Sequence, residues 1–190
     1  MRLFIALNLP AEERARIHAA AAPLRAAGLP VRWVEPESIH LTLKFLGEVA
    51  RARLAEIRAA LAQAAAAAAP LRLDVEGIGA FPNPRRARVV WAGIRLTPGL
   101  AALQEAVETR LVPLGFAREG RPFQPHLTLG RSRPPGGVTG AESLMRGIEL
   151  RNAFTASTLD LMESTLSPRG ARYERIAAAP LGATAEERQP

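Results

Sequence analysis

The chain has 190 residues, 48% hydrophobic and 23% charged, enough for one globular core, and its lack of cysteine excludes a disulfide framework and a thiolate metal site. Arginine supplies nearly all of the net charge of +7, which suits an anionic or nucleic-acid partner, although a GC-rich genome also enriches arginine and alanine. No apolar run reaches 18 residues and no signal-peptide pattern opens the chain, so the expectation is a cytoplasmic protein without a membrane partner.

Residues 2–8 are apolar and predict a first strand. Pro10 followed by Ala11, Glu12 and Glu13 is a helix start, and the helix is expected to run to about Gly28 with a kink at Pro23. His18 falls beside its apolar stripe and reads as a solvated surface histidine. Residues 31–34 predict a short strand, 38–46 a longer one ended by Gly47, and 51–69 an alanine-rich helix stopped by Pro70. A strand over 71–78 is followed by a loop from Gly79 to Pro84 and then by the basic turn Arg85, Arg86, Arg88. That turn is either a track for an RNA backbone or an ordinary solvated turn, and it leads into a buried strand through Trp91. Trp33 and Trp91 both read as core.

Thr97-Pro98-Gly99 is a helix cap, with Leu100, Leu103, Val107 and Leu111 at helical spacing behind it and Gly115 as terminator. Residues 124–131 predict another strand and 133–140 a mobile proline- and glycine-rich loop. One or two strands over 148–166, a turn at 167–170 and a closing strand over 171–178 complete the body. The expected domain is a single bilobal unit over 1–180, with 181–190 as a disordered tail. The succession predicts an α+β fold with pseudo-two-fold symmetry, two antiparallel sheets facing a central cleft and helices on their outer faces.

Two of the chain's three histidines lie in identical tetrapeptides, His40-Leu41-Thr42-Leu43 and His126-Leu127-Thr128-Leu129. In a strand, residues i and i+2 share a face, so His40 and Thr42 project together while the leucines turn to the core. His126 and Thr128 do the same. Side by side, the two copies bring two imidazoles and two hydroxyls to one cleft. One neutral imidazole can take a proton from an attacking oxygen and a protonated one can give it to a leaving oxygen, while the threonines donate to phosphate oxygens. A metal site is the competing chemistry, but Glu35, Glu37, Glu48 and Glu119 show no ligand spacing. No cofactor and no metal are expected.

With its flanks, the doubled motif resembles the two-histidine phosphoesterase superfamily, in its RNA 2′,3′-cyclic phosphodiesterase branch, historically called 2′-5′ RNA ligase. The resemblance rests on Leu3 to Ala6, Ile39 to Gly47, Arg88 to Gly93, Arg121 to Leu129, and Ser164 to Pro168 with Tyr173. It implies metal-free opening of a terminal 2′,3′-cyclic phosphate of RNA by water to leave a 2′-phosphate, with reversal joining RNA ends through a 2′-5′ bond. It implies phosphate contact by His40, Thr42, His126 and Thr128, with His40 as proton donor and His126 as proton acceptor. It also implies base contacts from Phe45 and Arg131, whose alternatives are a core residue and a surface charge. Lys44, by alternation on the histidine face, either adds positive potential to the cleft or snorkels to solvent. The partners implied are RNA ends, and the chain is expected to be a monomer. The rival functions are a related activity on 2′-5′ oligonucleotides or an ADP-ribose cyclic phosphate, and a non-catalytic RNA-binding module.

Overall fold

A computed structural model describes residues 1–133, 138, 140–167 and 170–182. Its strands in chain order are β1 (Arg2–Asn8), β2 (Val31–Trp33), β3 (His40–Glu48), β4 (Leu71–Phe81), β5 (Val89–Ile94), β6 (His126–Ser132), β7 (Arg151–Ala156), β8 (Thr158–Ser167) and β9 (Gly170–Pro180). The helices are α1 (Ala11–Ala20), α2 (Ala22–Ala26), α3 (Leu54–Ala66), α4 (Pro98–Leu111) and α5 (Glu142–Gly147). The α+β class and the antiparallel pairing match the sequence-based expectation. The two expected sheets, however, are joined into one curled sheet in the order β7-β4-β5-β6-β3-β1-β8-β9, with β2 also on β6. The join is narrow: β3 and β6 pair at Leu41 and Leu127 alone.

That join is also the symmetry element. On one side lie β3, β1, β8 and β9, and on the other β6, β5, β4 and β7. The halves trade strands, because β4 follows the first histidine strand in sequence yet pairs with β5 in the second half. The convex face carries the core. Ile17 and Leu24 of α1 and α2, Ile57 and Leu61 of α3, and Leu100, Leu103, Val107 and Leu111 of α4 are buried with Leu3, Ile5, Leu7, Leu41 and Leu127 of the strands. Each helix contributes one apolar stripe, which is what a helix covering one face of a sheet requires.

Several boundaries differ from those expected. The first helix is broken into α1 and α2 at Ala21, with Pro23 in the first turn of α2. The loop expected from Gly79 belongs to β4, which continues to Phe81. Glycine is needed there because a Cβ would come within 2.4 Å of the Trp91 ring. The short α5 has no sequence signal strong enough to predict it. Of the expected mobile loop, 134–137 and 139 lie outside the described residues, whereas Val138 is buried and its N–H donates to the Pro84 carbonyl at 2.9 Å. Leu181 and Gly182 of the expected tail are held on the body, their N–H groups donating to Ser157 and Ala65 carbonyls. Residues 183–190 lie outside the described residues. No helix is long and apolar enough to cross a membrane.

Candidate active site

The concave face of the sheet forms a cleft of about 800 Å³, and His40, Thr42, Phe45, His126, Thr128 and Arg131 all line it. The two tetrapeptides reach it by the same local device. Thr42 pairs with Ala6 and Lys44 with Ile5, which leaves Leu43 as an extra residue in β3. Thr128 pairs with Trp91 and Gly130 with Val90, which leaves Leu129 as an extra residue in β6. Such a bulge inverts the alternation of side chains beyond it. Phe45 and Arg131, which simple alternation would place with the core leucines, therefore stand on the face of the histidines. Phe45 is 68% exposed, so its alternative reading as a core residue does not hold.

The same inversion corrects the placement of Lys44. It borders the cleft but neither adds a free positive charge to it nor snorkels to solvent, because its ammonium is buried against α4. Its Nζ donates to Glu108 Oε2 at 2.6 Å and to the Ala117 carbonyl at 2.7 Å, with both charged groups buried. At the matching place β6 has Gly130, where a Cβ would lie 2.4 Å from Val31 and 3.0 Å from Trp33. β2 fills that space, so the symmetry of the backbone is not carried into these side chains.

Both imidazoles are fixed through one nitrogen. His40 Nδ1 lies 2.8 Å from the Ser38 carbonyl and His126 Nδ1 2.7 Å from the Gln124 carbonyl. A carbonyl can only accept, so each Nδ1 carries the hydrogen and each Nε2 is left for chemistry. The rings are walled by aromatic side chains. Phe4 lies 4.8 Å from His40 and Tyr173 4.9 Å edge-on, while Phe81 meets His126 edge-on at 5.1 Å. Burial pushes His40 down from the ordinary 6.5 to about 4, against the hydrogen bond to Ser38 and with help from Arg131, Arg14 and His126. Burial also lowers His126, opposed by the Gln124 carbonyl and reinforced by Arg131. Opposite His40 on β1 stands Asn8, whose Nδ2 donates to fully buried Asp160 at 2.6 Å.

Arg2, Arg118 and Arg121 also line the cleft, whereas Arg85, Arg86 and Arg88 do not and are exposed. The basic turn therefore keeps only its reading as a solvated turn, as far as the cleft is concerned. His18 sits on α1 and is not a cleft residue. Trp33 packs partly buried against the core as expected, but Trp91 stands on the concave face opposite Thr128. Its role was hidden in the sequence, because a tryptophan in an apolar strand gives no indication of which face it takes. Tyr173 enters the sequence reading only through the family resemblance, and Phe81 carries no sequence signal. Among the described residues no three His, Asp or Glu side chains cluster as a metal site would require.

The fold and this paired-histidine cleft define a phosphoesterase, and the family comparison agrees. The model of the LigT-like phosphoesterases matches residues 7–91 and 95–173, and the chain belongs to that family. An RNA 2′,3′-cyclic phosphodiesterase of Methanothermobacter thermautotrophicus is 33% identical over 91% of this chain and 95% of its own length. A Thermus thermophilus protein of solved structure superposes with a TM-score of 0.75 at 29% identity, covering 96% of this chain and 98% of its own. Escherichia coli LigT, solved in complex with 3′-AMP, superposes at 0.69 and 29% identity, with 96% and 98% covered.

Proposed function

We propose that the chain is an RNA 2′,3′-cyclic phosphodiesterase that opens the terminal cyclic phosphate with water and needs no metal. The observation that carries the reading is the symmetric pinning of His40 and His126 through Nδ1, which leaves two Nε2 atoms and two threonine hydroxyls on one cleft. His126 takes the proton of the attacking water. The new bond forms between water oxygen and phosphorus, the bond from phosphorus to the ribose 3′ oxygen breaks, and His40 gives that oxygen its proton. A 2′-phosphate and a 3′-hydroxyl result, and the histidines exchange their protonation states and reset through solvent. Thr42 and Thr128 donate to the non-bridging oxygens as charge develops on them. Phe45 and Arg131 flank the terminal base, one as a stacking face and one as a cation.

Burial disfavours the imidazolium form of both histidines, so the acid takes up its proton from solvent as the substrate binds. A phosphodiester anion beside His40 favours the imidazolium and opposes the burial that depresses it. With a 5′-hydroxyl in place of water the same steps, run in the joining direction, give a 2′-5′ bond. Support for the substrate comes from the name of the Methanothermobacter relative and from the nucleotide bound by Escherichia coli LigT.

The test is a short RNA ending in a 2′,3′-cyclic phosphate, incubated with the protein in excess EDTA. The expected product is the 2′-phosphate at an unchanged rate. Activity lost on chelation and restored by one divalent ion would overturn the metal-free mechanism, and a 3′-phosphate product would show that the other phosphorus–oxygen bond breaks.

A further inference from the structure

Beside the cleft lies a second cavity of about 450 Å³, on the β5 side of His126. Its walls are Phe81, Trp91, Leu96, Phe123 and His126, with Glu76 at its margin. Three aromatic side chains in one small cavity are suited to a flat ring rather than to an aliphatic chain or a charged group. The Trp91 indole is set rigidly: it lies against Gly79, where a Cβ would meet it at 2.4 Å, and packs on Phe81 with ring centroids 5.0 Å apart. The Glu76 charge is already committed to Arg95 at 2.9 Å. Leu96, 49% exposed, leaves an apolar lip open to solvent.

The cavity adjoins the cleft, sharing Phe81, Phe123, Gln124 and His126 with it. Phe45, by contrast, belongs to the β1–β3 side, where its ring lies 5.9 Å from Phe4. A phosphodiester has a nucleoside on each side. If His126 activates the attacking oxygen, the group bearing that oxygen approaches phosphorus from the His126 side, where this cavity opens. We infer that the cavity walled by Trp91, Phe81 and Phe123 is a second nucleoside subsite, taking the base of the nucleotide that carries the 5′ oxygen. It rests on the assignment of the phosphate to the two histidines and extends it: the complete ligand is a 2′-5′-linked dinucleotide lying across both halves of the sheet.

The protein has two tryptophans, so Trp33→Phe leaves Trp91 as the sole indole reporter. Adenosine 2′-phosphate and the 2′-5′-linked diadenosine monophosphate are titrated into this variant. The dinucleotide is expected to quench Trp91 emission and to bind about tenfold more tightly or better, as one added stacked base would give. Adding Leu96→Asp, an exposed change that leaves the core untouched, should erase that advantage; Gly79→Ala, which displaces the indole, should do the same. Binding of the mononucleotide and hydrolysis of 2′,3′-cyclic AMP should stay within about twofold in the Leu96 variant. Equal affinity for the two ligands in the parent, or an undiminished dinucleotide preference in Leu96→Asp, would overturn the subsite. Failure of the parent to hydrolyse 2′,3′-cyclic AMP would instead strike at the phosphate assignment beneath it.

Discussion

His40 and His126 are held below their ordinary proton affinity by the aromatic walls that position them, and this has a definite pH signature. The reactive free enzyme carries one proton between the two imidazoles. Both sites lie below 6.5, with His40 near 4, so that form is depleted as pH rises through 6.5 and becomes doubly protonated toward pH 4. kcat/KM should therefore peak on the acid side of 6.5 and fall about tenfold per unit above the higher of the two values. The profile of kcat should sit at higher pH, because the bound phosphate raises both groups. A kcat/KM that climbs from pH 6 to pH 8 would contradict this account. The threonines give an independent check. Thr42→Val and Thr128→Val should each slow hydrolysis by about ten- to a thousand-fold, the range for one lost oxyanion donor, with the strand intact since valine suits it. Rates equal to wild type in both variants would reduce the hydroxyls to a structural role.

At the scale of the element, the extra residue that follows the threonine in β3 and in β6 decides the site. A leucine bulged out after each threonine brings Phe45 and Arg131 to the cleft face and turns Lys44 toward Glu108 of α4 and Gly130 toward β2. Alternation was a sound guide to His40, Thr42, His126 and Thr128 because all four precede the bulge. It did not foresee the burial of Lys44 against Glu108, because a bulge is set by pairing with β1, which lies some forty residues away and leaves no local pattern. Position 44 consequently bears an internal ion pair with Glu108 of α4. Lys44→Met should leave that carboxylate buried and unpaired and cost about 3–5 kcal/mol, read as a lower urea midpoint. Pairing it with Glu108→Leu should recover most of the loss. A single variant as stable as wild type would mean that the pair contributes nothing and that solvent reaches Glu108. Gly79 shows the same limit of local reading: a glycine that signals a turn is there to admit the Trp91 ring.

At the scale of the whole molecule, the alternation of helices and strands and the repeated tetrapeptide were enough to foresee an α+β fold with two related halves about one cleft. The exchange of β4 and β8 between those halves was not foreseeable, since nothing in a strand's own residues names its distant partner. The exchange ties the two histidine strands into a single sheet that meets at Leu41 and Leu127, and this brings both imidazoles to one cleft. The central claim is that these two imidazoles work as a pair with unequal tasks. It is tested most directly by a cyclic substrate with sulfur at the leaving 3′ position, given to His40→Ala and His126→Ala. A thiolate leaves without an acid, since the thiol pKa is about 8.5. The account predicts that both variants are nearly inactive on the normal substrate and that sulfur restores much of the activity of His40→Ala while doing little for His126→Ala. Rescue of His126→Ala alone would reverse the roles, and rescue of neither would contradict acid–base catalysis by the pair.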